Sequence, residues 1–189
     1  SMNYQAAWGD YDNDGDVDLV TDGRLFQNQG NANHWLRVRL TGNGYGVNHA
    51  AIGAQVRIVV PDLGTLVRQV ESGTGQGNQN DLAMHFGLGG HSTQVDLEIS
   101  WPNGTTQTIT SIAVDQTINV FYAQIRGSTW IDLDADSVRD GDEPGVAGST
   151  IYLDQNENGR LDDGETTTTT NANGDYGFGG LAPATYTGA

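Results

Sequence analysis

Apolar and polar residues alternate with a period of two through most of the middle of this chain. Leu36, Val38 and Leu40 alternate with Trp35, Arg37 and Arg39; Val56, Ile58 and Val60 with Gln55, Arg57 and Val59; Val95, Leu97, Ile99 and Trp101 with Asp96, Glu98 and Ser100. Each stretch predicts a strand with one buried face. Pro102-Asn103-Gly104 separates Trp101 from the run Thr105 to Thr110, which predicts a tight turn between antiparallel strands. Ile118, Val120 and Tyr122 predict one more strand. No long segment carries the helical i, i+3, i+4, i+7 repeat, and the chain holds 27 Gly. The pattern predicts an all-β chain, with an antiparallel β-sandwich or barrel over residues 34–124, long enough to bury a modest core unaided.

From Ile125 the pattern repeats on a smaller scale. Gly127 to Ile131, Ser149 to Leu153, Thr166 to Thr170, Tyr176 to Phe178 and Tyr186 predict short strands separated by loops and turns. A second β-sandwich over residues 125–189 is too small to rest on core packing alone, and needs a staple. There are no Cys and no Lys, so that staple is neither a disulfide nor a bond through a lysine amine. Metal is left.

Three loops place oxygen ligands at alternate positions. The first offers Asp10, Asp12 and Asp14, then Gly15, Asp16 and Asp18. The second offers Asp132, Asp134 and Asp136, the backbone carbonyl of Val138, then Asp140 and Glu143. The third offers Asp154, Asn156 and Asn158, Gly159, the carbonyl of Arg160, then Asp162 and Glu165. Side-chain oxygens at positions 1, 3 and 5, a carbonyl at 7 and carboxylates at 9 and 12 suit a hard cation that takes six to eight oxygens. The expected cofactor is Ca²⁺ at about three sites, structural rather than regulatory. Pro144-Gly145 after Glu143 and five threonines after Glu165 rule out flanking helices, so these are calcium loops carried on β-structure. Ser137 stands where the other two loops have glycine. The first loop runs into a strand at Leu19-Val20, and its ligands end at position 9.

The charge follows the loops. The net charge is −16; residues 1–33 carry −5, residues 34–126 −1 and residues 127–189 −10, and nineteen of the 24 acids are Asp. Three Ca²⁺ would bring the total to −10 and relieve carboxylate repulsion, so the metal-free protein is expected to be the less stable form. So acidic a chain disfavours nucleic acid and anionic lipid as partners. No apolar run reaches the roughly 18 residues of a spanning helix. No signal peptide opens the chain, but Ser1-Met2 reads as a cloning remnant on an excised fragment, so this says nothing about export.

These stretches also resemble known families. Trp8-Gly9-Asp10 through Asp18-Leu-Val resembles a single FG-GAP/VCBS repeat, which implies the end of a longer calcium-binding array over residues 1–33. Ala51-Ile-Gly53-Ala-Gln-Val56, Glu71-Ser-Gly73-Thr-Gly75, Asn80-Asp81-Leu82, His85-Phe-Gly87-Leu-Gly89 and Trp101-Pro-Asn-Gly104 resemble the ASPIC/UnbV domain. Gly127-Ser-Thr-Trp130-Ile-Asp132, Gly145-Val-Ala-Gly148, Asn173-Gly174-Asp-Tyr176-Gly-Phe178 and Leu181-Ala-Pro183-Ala-Thr-Tyr186 resemble the SdrD B-like domain of bacterial surface proteins. That last resemblance implies a rigid calcium-stiffened spacer, with its final strand cut short after Tyr186.

Catalytic readings are weaker. His85 and His91 are spaced wrongly for zinc, and His34 and His49 read with them as surface or turn residues. Ser72, Asp81 and His85 lack a nucleophile elbow. Glu98 lies on a solvated face, which leaves Glu71 without a partner acid. Gly73 to Gly77 and Gly87 to Gly90 lack the lysine and helix of a phosphate loop, and read as close turns. Among the tryptophans, Trp35 beside Arg37 and Arg39 is the candidate for an exposed binding face, with Trp101 and Trp130 expected in cores. The expected protein is a monomeric, non-catalytic calcium-binding module of an extracellular or bacterial cell-surface protein. It would serve adhesion or spacing, with an extracellular protein or glycan as partner; the alternative is a glycan-binding or accessory module of a secreted hydrolytic enzyme.

Overall fold

A computed structural model describes residues 5–75, 77–181 and 186–188. Every regular element among them is a strand: β1 (Ala6–Gly9), β2 (Asp18–Thr21), β3 (Arg24–Phe26), β4 (His34–Thr41), β5 (Gln55–Val60), β6 (Gly64–Gln69), β7 (Met84–Gly89), β8 (Val95–Ser100), β9 (Thr106–Ile112), β10 (Gln116–Phe121), β11 (Ala123–Ser128), β12 (Thr150–Asp154), β13 (Thr167–Thr169), β14 (Asp175–Leu181) and β15 (Thr187–Gly188). No helix in the described residues is long and apolar enough to cross a membrane. The chain divides into two compact units, Ser1–Tyr122 and Ala123–Ala189.

In the first unit an antiparallel sheet in the order β6-β5-β8-β9 faces a three-stranded sheet in the order β10-β4-β7. The alternation fixes what lies between them: Leu36, Val38 and Leu40 of β4, Val56, Ile58 and Val60 of β5, Phe86 and Leu88 of β7, and Leu97 and Ile99 of β8 all belong to one buried cluster. Trp101 is buried with them, as expected, and donates its indole N–H to Gln107 Oε1 at 3.1 Å. The Pro102-Asn103-Gly104 turn closes with Gly104 N donating to the Trp101 carbonyl at 2.9 Å.

The sandwich is not wholly antiparallel. β10 runs parallel to β4, with Ile118 opposite Val38 and Val120 opposite Leu40. Parallel neighbours need a long crossover, and β5 to β9 lie between these two. The segment His85–Gly89, expected as turns, is strand: Met84, Phe86 and Leu88 point into the core while His85 and Gly87 point outward. Its glycines fall on the outward phase and hide the alternation. Gln76, within the glycine run Gly73 to Gly77, lies outside the described residues.

β1, β2 and β3 form a three-stranded antiparallel sheet. Residues 1–33 fall in the same compact unit as the sandwich, because the loop between β1 and β2 sits on the outer face of β4 and β7.

The second unit has a two-stranded sheet, β11-β14, and a three-stranded sheet, β13-β12-β15. Its core is thin. Among the described residues only Leu153 and Phe178 are buried apolar side chains there, against nineteen in the first unit's cluster. Trp130, expected in a core, is half-buried with its indole nitrogen unpaired. The end of the final SdrD B-like stretch, residues 182–185, lies outside the described residues, as does residue 189; β15 pairs with the end of β12.

Candidate metal centres

All three acidic loops are closed at the neck by antiparallel strands. Gly9 pairs with Asp18 below the first loop. An isolated bridge joins Trp130 to Gly145 below the second, and Ile131 N donates to the Pro144 carbonyl at 3.0 Å. Tyr152 pairs with Thr167 below the third, and Leu153 N donates to the Thr166 carbonyl at 2.9 Å. None of these necks is helical, as the flanking residues predicted.

Inside the loops the backbone repeats position for position. The fourth residue is left-handed in each: Asn13, Ala135 and Glu157, at φ of 61°, 61° and 57°. The sixth is too: Gly15, Ser137 and Gly159, at 96°, 65° and 72°. The first carboxylate accepts the sixth N–H every time, from Gly15 to Asp10 Oδ2 at 3.2 Å, Ser137 to Asp132 Oδ2 at 3.0 Å and Gly159 to Asp154 Oδ2 at 2.7 Å. The fifth side chain accepts the seventh N–H every time, from Asp16 to Asp14, Val138 to Asp136 and Arg160 to Asn158. Two left-handed residues curl the main chain around the space the side chains face.

The loops differ in how they are locked. In the second, Glu143, buried, accepts from Leu133 N at 2.7 Å and Asp140 N at 3.0 Å. Glu165 does the same in the third, from Gln155 N and Asp162 N, both at 3.0 Å. In the shorter first loop Asp18 takes this role from position 9: buried, it accepts from Tyr11 N at 3.0 Å and Asn28 N at 2.8 Å. The position-2 N–H is satisfied by a carboxylate in all three.

Ligand oxygens converge to different degrees. Asp10, Asp12 and Asp18 bring carboxylate oxygens within 4.8 Å of one another, as do Asp132, Asp134 and Asp136. Asp14, Asp16, Asp140 and Glu143 lie outside those triplets. In the third loop the amides of Asn156 and Asn158 donate to Asp162 Oδ2 at 2.8 and 2.6 Å. These bonds, Asn156's first, hold the Asp162 carboxyl below the usual aspartate range; a cation there would need both amides turned to present oxygen. Val138, 59% exposed, offers a metal only its carbonyl.

The first loop is also braced from beneath. Arg37 and His85 are cross-strand neighbours on β4 and β7. Arg37 donates to Asp10 Oδ2 at 3.1 Å, to Asn13 Oδ1 at 3.3 Å and to Asp81. His85 Nε2 lies 2.8 Å from the Gly15 carbonyl, which can only accept, so that nitrogen carries the proton. Trp35 stacks on His85 with ring centroids 6.1 Å apart, and any Cβ at Gly15 would run into its indole ring. Trp35 is therefore a floor for the loop and not the free binding face its polar phase predicts, and His85 is no ordinary surface histidine. Beneath this arrangement Asp10 Oδ1 is buried and has no hydrogen-bond partner. An orphan carboxylate oxygen facing two further carboxylates fits a cation.

Ser137 gives one local prediction. A left-handed non-glycine residue is strained by about 1 kcal/mol, so Ser137→Gly should stabilise the second unit by about that amount. Urea unfolding followed at Trp130, the second unit's tryptophan, measures it; a loss of stability would show that the serine hydroxyl does something the glycine cannot.

Comparison with known proteins adds the company this geometry keeps. Residues 44–126 match the family model described as ASPIC and UnbV, and residues 123–188 match the SdrD B-like domain. The seam between the two matches falls where the two compact units divide. The chain is similar to mouse (Mus musculus) cartilage acidic protein 1, 29% identical over 126 residues, taking in 61% of this chain and 19% of that protein. It thus spans about a fifth of that relative's length. The solved structure titled the Bacillus anthracis TIE protein aligns at 10% identity and a TM-score of 0.28, over 86% of this chain and 32% of that one.

Proposed function

We propose that the chain is a non-catalytic, calcium-binding segment of an extracellular or cell-surface protein, with three Ca²⁺ acting as structural staples. The observation that carries this reading is the shared backbone path of the three loops, left-handed at positions 4 and 6 with the same anchoring bonds, although they lie in two differently folded units. Polar turns with no common ligand would have no reason to repeat that path. The buried, unpartnered Asp10 Oδ1 adds support at the first loop. In this reading Asp10, Asp12, Asp14 and Asp18 hold one ion, with the Asp16 carbonyl. Asp132, Asp134, Asp136, Asp140 and Glu143 hold the second with the Val138 carbonyl, and Asp154, Asn156, Asn158, Asp162 and Glu165 the third with the Arg160 carbonyl. The metal supplies cross-linking charge and nothing reactive.

An SdrD B-like match and a relative named for cartilage support a place outside the cell, where millimolar calcium keeps modest sites filled. The first 33 residues fit the end of an FG-GAP/VCBS-like array in a longer protein, and the second unit fits a stiffened spacer or an adhesive stalk. A calorimetric calcium titration should give about three ions per chain with dissociation constants of about 10⁻⁴ M or below. Asp12→Ala and Asp134→Ala should each remove one ion and leave the rest. Magnesium-insensitive silence at millimolar calcium would end the proposal.

A further inference from the structure

We propose that a cleft in the first unit, walled by Trp8 and by the segments 67–74 and 80–85, is a binding site for a neutral oligosaccharide. The cleft measures about 440 Å³ and is lined by Trp8, Arg68, Gln69, Glu71, Asn80 and Asp81, among others. Three of the stretches on which the ASPIC/UnbV resemblance rests, those beginning at Glu71, Asn80 and His85, come from separate parts of the chain and meet here. Core packing does not explain them: Glu71 is exposed and Asn80 and Asp81 are half-exposed.

The wall is built before any ligand arrives. Trp8 N donates to Asn80 Oδ1 at 3.0 Å, and the Trp8 carbonyl accepts from Asp81 N at 2.9 Å, so the tryptophan backbone is pinned on both sides while the residue stays 48% exposed. Arg68 lies over the buried Phe86 ring, 5.9 Å from its centroid. Such preorganisation lowers the entropy lost on binding. The Glu71 carboxylate makes no hydrogen bond among the described residues, and the Asn80 amide nitrogen donates to none.

Chemistry selects the ligand. A half-exposed indole offers a face for the apolar side of a sugar ring, while a carboxylate, two primary amides and a guanidinium are planar groups that match hydroxyl pairs as acceptors and donors. The lining carries three carboxylates, Asp10, Glu71 and Asp81, against two guanidiniums, Arg37 and Arg68. An anionic ligand would meet the unpaired Glu71 and the field of a −16 chain. A cationic one would meet Arg37 and Arg68. An uncharged polyhydroxylated ligand meets neither penalty. The site does not depend on the calcium reading, since its polar groups lie outside the three metal triplets, Asp10 excepted.

The test titrates the full chain, in calcium buffer, with tetramers of β-1,4-linked glucose, xylose and N-acetylglucosamine. Tetragalacturonate and a glucosamine tetramer serve as acidic and basic controls. At least one neutral tetramer should bind by calorimetry. Glu71→Ala should weaken it about tenfold, the loss of one charge-assisted hydrogen bond, with an unchanged melting temperature because that carboxylate has no protein partner. Trp8→Ala should weaken it further, and Trp8→Phe should restore part of the loss. Silence from every neutral tetramer at millimolar concentration, binding of a charged control alone, or neutral binding that survives Glu71→Ala and Trp8→Ala undiminished would each overturn the proposal.

Discussion

Removing calcium should unfold residues 123–189 and leave the sandwich of residues 1–122 standing. The second unit buries only Leu153 and Phe178 as apolar side chains among its described residues, and residues 127–189 carry a net charge of −10. Full burial of a Leu or Phe contributes about 1.5–3 kcal/mol, far too little to fix some 65 residues against their chain entropy. Two ions at a hundredfold excess over their dissociation constants add about 5.4 kcal/mol. For a domain this size, that moves the melting temperature by more than about 20 °C. Calorimetry should show two transitions in calcium, and chelator should lower the one that carries the Trp130 fluorescence change by that amount. The sandwich has nineteen buried apolar residues behind it, and its transition should move less. Superimposable melts with and without chelator would remove the metal from the account of this unit's stability.

Arg37→Ala should be the most damaging single substitution outside a glycine or the core. The arginine side chain is 11% exposed and the Asp10 side chain beneath it 1%. Arg37 also holds Asp81 and Asn13, so its loss leaves a buried carboxylate without its counter-charge and unties the first loop from β4. Breaking a buried pair from one side costs about 3–5 kcal/mol, against about 1 kcal/mol for an ordinary surface pair. The effect has a pH signature. Burial pushes the Asp81 carboxyl up, but the Ala83 N–H and the Arg37 guanidinium outweigh it and hold the group below its ordinary value of 3.8. A depressed folded-state value means stability fully present above that pH and lost as the pH falls below it. The difference between wild type and Arg37→Ala should therefore hold from neutral pH down to about 4 and narrow below it. Chemical unfolding across that range reads it directly. A difference of 1 kcal/mol or less at pH 7 would mean that Asp10 finds another partner when the arginine is gone.

How much of this was legible in the sequence depended on how local the cause is. The loops were legible because ligand spacing is written into twelve consecutive residues and needs no partner segment. Strands β4, β5, β8, β9 and β10 were legible because one face meets the core and the other meets water. Strand β6 is exposed along nearly its whole length, with Leu66 alone half-buried, so no alternation marks it. Strand β7 alternates, but its outward phase is glycine and histidine, which read as turn. The brace beneath the first loop was not legible at all. Trp35 and Arg37 sit on the polar phase of β4, and only the tertiary contact of Gly15 and Asp10, some 20 residues earlier in the chain, makes that face a floor. The same contact removed Trp35 as a candidate for ligand binding and left Trp8, on the far side of Asp10, as the available aromatic.

The parallel pairing of β4 with β10 sets the order of events during synthesis. Leu36 waits for Gln116, 80 residues later, before its outer neighbour exists. At about 5–20 residues per second that is roughly 4–16 s of translation. Through that interval the β4 edge is an unpaired row of amides beside a fully formed β7, a template for the wrong strand. The second unit's loops close within twelve residues and face no such delay. The ribosome therefore releases the sturdier half of this molecule through its more hazardous folding route, and the half that depends on calcium through its safer one.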